Sequence, residues 1–174
     1  MTLHWVPATE RTDLLADPVA RAVRELAEAA EVAEIDPELA DTAAFCERYG
    51  VGMDESANCV VVAARRGGET RYAACMVLAT MRVDVNGVVR KHLDARKTSF
   101  APMAQAVELT GMEYGGITPL GLPAGWPILV DARVAEHPKV VIGSGLRRSK
   151  LAVAGSTLAG LKGAEVLALA TDAS

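Results

Sequence analysis

Aromatic side chains are scarce in this chain, at 4% of 174 residues, although 51% of its residues are apolar. Its core therefore has to be built from Ala, Val and Leu rather than from rings. Cysteine is nearly absent too. Cys46, Cys59 and Cys75 are odd in number and have no CxxC spacing, so they read as reduced, buried thiols and exclude a disulfide framework or a zinc set. Cys59 opens an apolar run with no basic neighbour to lower its pKa, which marks a packed residue rather than a nucleophile. His4, His92 and His137 lie far apart without metal-ligand spacing, and no metal or cofactor is expected. No apolar run reaches 18 residues, so no membrane span is expected. The N-terminal stretch lacks a basic start followed by an apolar segment, so the expected location is the cytoplasm. Missing as well are GxSxG, HExxH and GxxxxGK[ST], the signatures of a serine-hydrolase elbow, a zinc protease and a phosphate-binding loop.

Charge is present but unevenly placed. The net charge of −4 argues against indiscriminate nucleic-acid binding, and DNA is not an expected partner. Residues 1–57 carry four arginines against thirteen acids, whereas residues 65–97 carry eight bases against three acids. A basic middle suits phosphates, and a solvated hairpin and helix face suits it equally.

The length fits one domain of 1–174, with 1–40 as an acidic helical extension. Asp17-Pro18 signals a helix start, and Val19, Val23, Leu26 and Ala30 continue at helical spacing. Asp36-Pro37 repeats the signal, with Leu39, Ala43, Cys46 and Tyr49 on one face and Gly50 as the stop. Asn58–Ala64 and Arg71–Thr80 flank Arg66-Gly67-Gly68-Glu69 and predict a β-hairpin. A helix capped by Asp84, a strand at 97–100 and a helix from Pro102 follow. That last helix has Met103, Ala106, Val107 and Thr110 as its inner stripe. Strands are expected at 127–131, 139–143 and 150–153, then a helix capped by Ser156 and a strand at 165–169. Without regular βαβ units this is an α+β chain with a mixed sheet.

The organising stretch is Thr110–Asp131, TGMEYGGITPLGLPAGWPILVD, with five glycines and prolines 119, 123 and 127. Gly111 can stop a helix in the left-handed conformation. Gly115 and Gly116 allow a sharp bend and a close backbone approach. Loops of this kind bind ligands through their own N–H and C=O groups, or serve only as connections.

TG, then GGITPLG, then a strand ending in Asp131 resembles the core of the YbaK/EbsC family, from about Asp41 onward. That family includes the editing domain of bacterial prolyl-tRNA synthetases and hydrolyses the ester of mischarged aminoacyl-tRNA. Its Gly-x-x-x-Pro signature corresponds to Gly115-Gly116-Ile117-Thr118-Pro119. The resemblance implies a curved mixed sheet or partial barrel flanked by helices, no cofactor, and a tRNA acceptor end as partner. It places the backbone of Gly115 and Gly116 against the aminoacyl group. Thr118, Pro119, Asp131, Gly143, Ser144 and Gly145 become substrate-binding candidates.

The family's catalytic lysine corresponds to Asn58 in Asn58-Cys59-Val60. Asn donates and accepts hydrogen bonds but carries no charge. Either Arg147, Arg148 or Lys150 brings a cation to the loop, or Asn58 orients a water while backbone groups polarise the ester. Arg65, Arg66, Lys91, Lys97, Arg147, Arg148 and Lys150 form the candidate tRNA-binding rim. A valine at Gly116 is expected to block the pocket without disturbing the core. The leading reading is a trans-acting deacylase for a small aminoacyl group. A catalytically silent binding module and an unrelated small-molecule enzyme stay open as alternatives, as does a homodimer.

Overall fold

The computed structural model describes residues 2–172. Strand β1 (Val6–Pro7) leads through two 3-10 turns into α1 (Asp17–Val23), which carries Pro18 in its first turn. The helical spacing of Leu26 and Ala30 does not extend α1. Instead the chain returns as β2 (Glu31–Glu34), paired with β1 through Val6↔Val32. The 1–40 segment is therefore part helix and part sheet, not a helical extension. Val32 and Ala33 are buried in that sheet, and such burial outweighs the weak helical preference of the preceding residues.

Helix α2 (Thr42–Tyr49) buries Phe45 and Cys46 and stops at left-handed Gly50. Ala43, expected on the inner face, is exposed. Asp36 caps only the 3-10 turn Pro37–Leu39. Strands β3 (Ala57–Arg66) and β4 (Glu69–Leu78) pair from Ala57↔Leu78 to Arg66↔Glu69. Gly67 and Gly68, at φ 59° and 81°, form the two-residue turn whose twist matches the strands. Strand β5 (Met81–Val83) precedes a π turn, Val85–Val89, which Asp84 caps and which runs into α3 (Arg90–His92).

Strand β6 (Lys97–Phe100) pairs with β3, and α4 (Met103–Thr110) ends at left-handed Gly111. Only Ala106 and Thr110 of α4's expected stripe are buried; Met103 is exposed. Strand β7 (Ile128–Asp131) is wholly buried and lies parallel to β4. An unforeseen short helix, α5 (Ala132–Ala135), follows it directly. The chain closes with β8 (Val140–Gly143), β9 (Ser149–Val153), α6 (Gly155–Ala159), β10 (Ala164–Leu167) and β11 (Ala170–Asp172). Ala154, not Ser156, holds the cap position of α6.

The sheets run β1-β2-β9-β8, β10-β7-β4-β3-β6 and β11-β5. The five-stranded sheet is mixed, since β7 is parallel to both β4 and β10 while the β3 pairings are antiparallel. This is an α+β fold, and its sheets do not close into a barrel. A parallel bridge, Ser56↔Val141, brings the start of β3 beside β8 and joins the two larger sheets at the point where Asn58 sits.

Candidate active site

Two glycine-bearing loops meet beside the start of β3. The Gly111 stop turns the chain so that Glu113 N–H donates to Gly145 O (2.8 Å) and Gly145 N–H donates to Gly116 O (2.7 Å). Arg147 N–H donates to the Glu113 carboxylate (2.8 Å). The approach is backbone on backbone. A Cβ on Gly116 would lie 2.9 Å from the Leu146 main chain, and one on Gly143 would lie 2.5 Å from Gly116 O. Gly116 is thus wedged into the neighbouring loop, which corrects the expectation that a valine there leaves the fold untouched. Gly116→Val is expected to cost about 2 kcal/mol or more through overpacking, read as a lowered denaturant midpoint at unchanged slope.

Gly115, at φ 85°, lies under a guanidinium: its missing Cβ would meet Arg147 Nη1. That nitrogen donates to Tyr114 O (3.2 Å) and faces Asp41 Oδ1 (3.4 Å). Asp41 holds the N-cap position of α2. The next residue, Thr42, donates from Oγ1 to Asn58 Oδ1 (2.7 Å). The start of α2 therefore holds both Asn58 and Arg147, leaving the Asn58 side-chain N–H groups and the Gly115 N–H without a protein acceptor among the described residues. The sequence signal for this support is the N-cap residue type at Asp41 followed by the hydroxyl at Thr42.

Lys150 lies beneath this layer. Its residue pairs with Gly143 across β8 and β9, and it is only 7% exposed. Nζ donates to Ala40 O (2.8 Å) and sits 5.3 Å from the centre of the Phe45 ring. Burial pushes its pKa down to about 8, helped by Arg147 and opposed by Cys46 and Asp41. Lys150 is thus not a rim residue, contrary to the sequence expectation.

The other candidates separate. Asp131 is buried, and its oxygens accept from the N–H groups of Arg133, Leu169 and Ala170. It caps α5 and clamps the chain at the start of β11, so backbone N–H groups hold both of its oxygens. The Ser144 hydroxyl is buried in a network with the Leu146 backbone, the Ser149 carbonyl and the Ser149 hydroxyl. Thr118 is fully buried, its Oγ1 without a hydrogen-bond partner among the described residues, and Pro119 lines a different cavity. Arg148 is exposed and reaches Asp13 O at the N-terminal segment. Arg65, Arg66 and Lys97 cluster at the hairpin tip, and Lys91 is exposed on α3, all away from the glycine loops. Burial pushes the Cys59 thiol pKa up, which argues against a nucleophile there.

A cavity of about 920 Å³ lies elsewhere, between α1, the Pro119–Ile128 segment and α6. Size and chemistry disagree here. The convergent polar groups and bent backbone are at Asn58, Gly115 and Arg147, and those features rather than volume make this the candidate site.

Among solved structures, the hypothetical protein APE2540 is similar over 89% of this chain and 100% of its own, at 20% identity and a TM-score of 0.79. A candidate trans-editing enzyme for prolyl tRNA synthetase is similar over 90% of this chain and 96% of its own, at 21% identity and a TM-score of 0.76. These similarities establish the fold. No helix among the described residues is long and apolar enough to cross a membrane. The aminoacyl-tRNA editing domain model matches residues 36–161, a span holding Asp41, Asn58, both glycine loops and Arg147, and the chain belongs to that family.

Proposed function

We propose that this protein is a trans-acting deacylase that hydrolyses the ester of mischarged tRNA carrying a small amino acid. The observation that carries the reading is the Arg147 guanidinium held over the Gly115 bend, facing Asn58's support on α2. Hydrolysis of an ester needs a positioned nucleophile and donors aimed at the oxygen that gains charge. The guanidinium N–H groups of Arg147 beyond Nη1, together with the Gly115 N–H, supply the donors, and Arg147 provides the positive charge that Asn58 lacks. Asn58, its carbonyl fixed by Thr42, presents N–H groups that orient the ester or the attacking water. Closely packed glycine backbone leaves little room for a bulky side chain, which favours a small aminoacyl group.

Release of amino acid from a panel of charged tRNAs tests this. The natural protein should hydrolyse at least one. Asn58→Ala should lower kcat by about 10- to 100-fold, the loss expected for one positioning hydrogen-bond donor. Catalysis unchanged in Asn58→Ala would remove Asn58 from the site. A second reading, a binding module without turnover, rests on the amide that stands where a lysine is expected. It is favoured if the natural protein retains charged tRNA without hydrolysis and only Asn58→Lys acquires activity.

A further inference from the structure

A second feature lies at the other end of the hairpin. Pairing of β7 with β4 begins only at Ala74↔Ile128, so β4 from Glu69 to Ala73 has no strand on that side. The chain before β7 swings away and opens a cleft of about 290 Å³, with Ala64 and Leu93 as an apolar floor and Arg71 and Trp126 as walls. Trp126 is stacked on Tyr72, with ring centres 5.5 Å apart and an angle of 26°. The Tyr72 hydroxyl is held in turn by Gln105 Nε2, and Arg71 donates to Leu93 O (2.6 Å). In a chain with so few rings, two are thus fixed in place at a half-open cleft rather than used in the core.

Cations lie at and near it. Arg71 lines the cleft, and the exposed Arg65 and Lys97 are partners on the β3–β6 ladder at the same end of the hairpin. The nearby acids are Glu69 on β4 and Asp94, the latter beside Arg66 (3.5 Å). A pre-set aromatic face among cations has the chemistry for a flat base on the ring and phosphates on the guanidinium groups.

We infer that the Tyr72–Trp126 cleft is a base-stacking site for single-stranded RNA, separate from the glycine-loop site. The inference rests on the deacylase reading for the identity of the RNA, a tRNA. Ala64, in the cleft floor, is six positions along β3 from Asn58, which puts the two sites roughly 20 Å apart. The cleft therefore takes a nucleotide away from the esterified one. It acts on binding and not on the chemical step.

Two measurements test this. The first is kinetic. Trp126→Ala and Arg71→Ala should each raise KM for charged tRNA about tenfold at unchanged kcat, yet leave hydrolysis of an aminoacyl-adenosine unaltered. Equal loss on both substrates would mean a structural role and overturn the inference. The second needs no turnover, so it survives failure of the deacylase reading. Trp5 and Trp126 are the two tryptophans, so in a Trp5→Phe background the fluorescence reports Trp126. Titration with uncharged tRNA should quench it at low salt, with affinity falling about tenfold on Arg71→Ala. No quenching by tRNA, or quenching matched by AMP alone or by a basic peptide, would overturn it.

Discussion

Arg147→Ala is expected to reduce deacylation by about 10²- to 10³-fold in kcat, the loss typical of removing one donor from an oxyanion site. The fold should survive. Arg147's ion pair with Asp41 is partly exposed, at 30% and 71% for the two side chains, and pairs of that kind contribute little to stability. Arg147→Lys separates charge from geometry. An ammonium keeps the positive charge but not the planar guanidinium, whose Nη1 is tied to Tyr114 O and Asp41 while its other N–H groups stay in a fixed plane. Partial recovery in the lysine form would assign the effect to charge, and no recovery would assign it to guanidinium geometry. Full activity in a folded Arg147→Ala protein would sink the proposal that Arg147 replaces the family's lysine charge. Single-turnover kinetics on charged tRNA is the direct measurement, because it isolates the chemical step from product release.

Lys150 carries the second large effect, on stability. Its pKa is pushed down to about 8 from the ordinary 10.5 because the ammonium is buried between β9 and α2. A base with a depressed pKa binds its proton more weakly in the folded state. Between those two values the unfolded chain holds more protons, so stability rises with pH across that window. The stabilisation is complete above the unfolded value and is lost as pH falls through the folded one. The full range corresponds to at most about 3 kcal/mol. Cys75, pushed up to about 12 by burial, acts in the opposite sense above its ordinary value of 9.0.

The informative quantity is therefore the difference between the natural protein and Lys150→Met. Chemical denaturation at pH 7 and pH 9.5 should show the natural protein gaining stability relative to Lys150→Met. At pH 7 the methionine form should equal or exceed it, since a buried charge has been exchanged for apolar packing. A stability difference independent of pH would show that Lys150 is not charged and buried in the folded chain. Activity adds a separate readout, because Ala40, whose carbonyl Lys150 holds, directly precedes Asp41. Loss of deacylation without loss of stability would identify Lys150 as a positioning residue.

Much of this chain was legible in its sequence because the signals are local. The Gly67-Gly68 turn between two β-branched runs specifies the β3–β4 register, as only glycine enters that turn cheaply. Gly50 and Gly111 stop helices for the same reason. The glycine loop, and with it the family, follows from residue order alone. Tertiary structure decided the rest, because the determining partners are distant in sequence. Helical spacing continued past Val23, yet β9 drew residues 31–34 into a sheet. Asp131 ends a strand as expected, but β11 claims its carboxylate. Lys150, in a basic run, reads as a rim residue until α2 packs over β9 and removes it from water. Asn58 could be aligned from sequence, but its Thr42 partner lies 16 residues before it, and the guanidinium over Gly115 lies 32 residues after that glycine. Composition and spacing determine which backbone shapes are cheap; only packing determines which side chains share a low-dielectric site and what charge it holds.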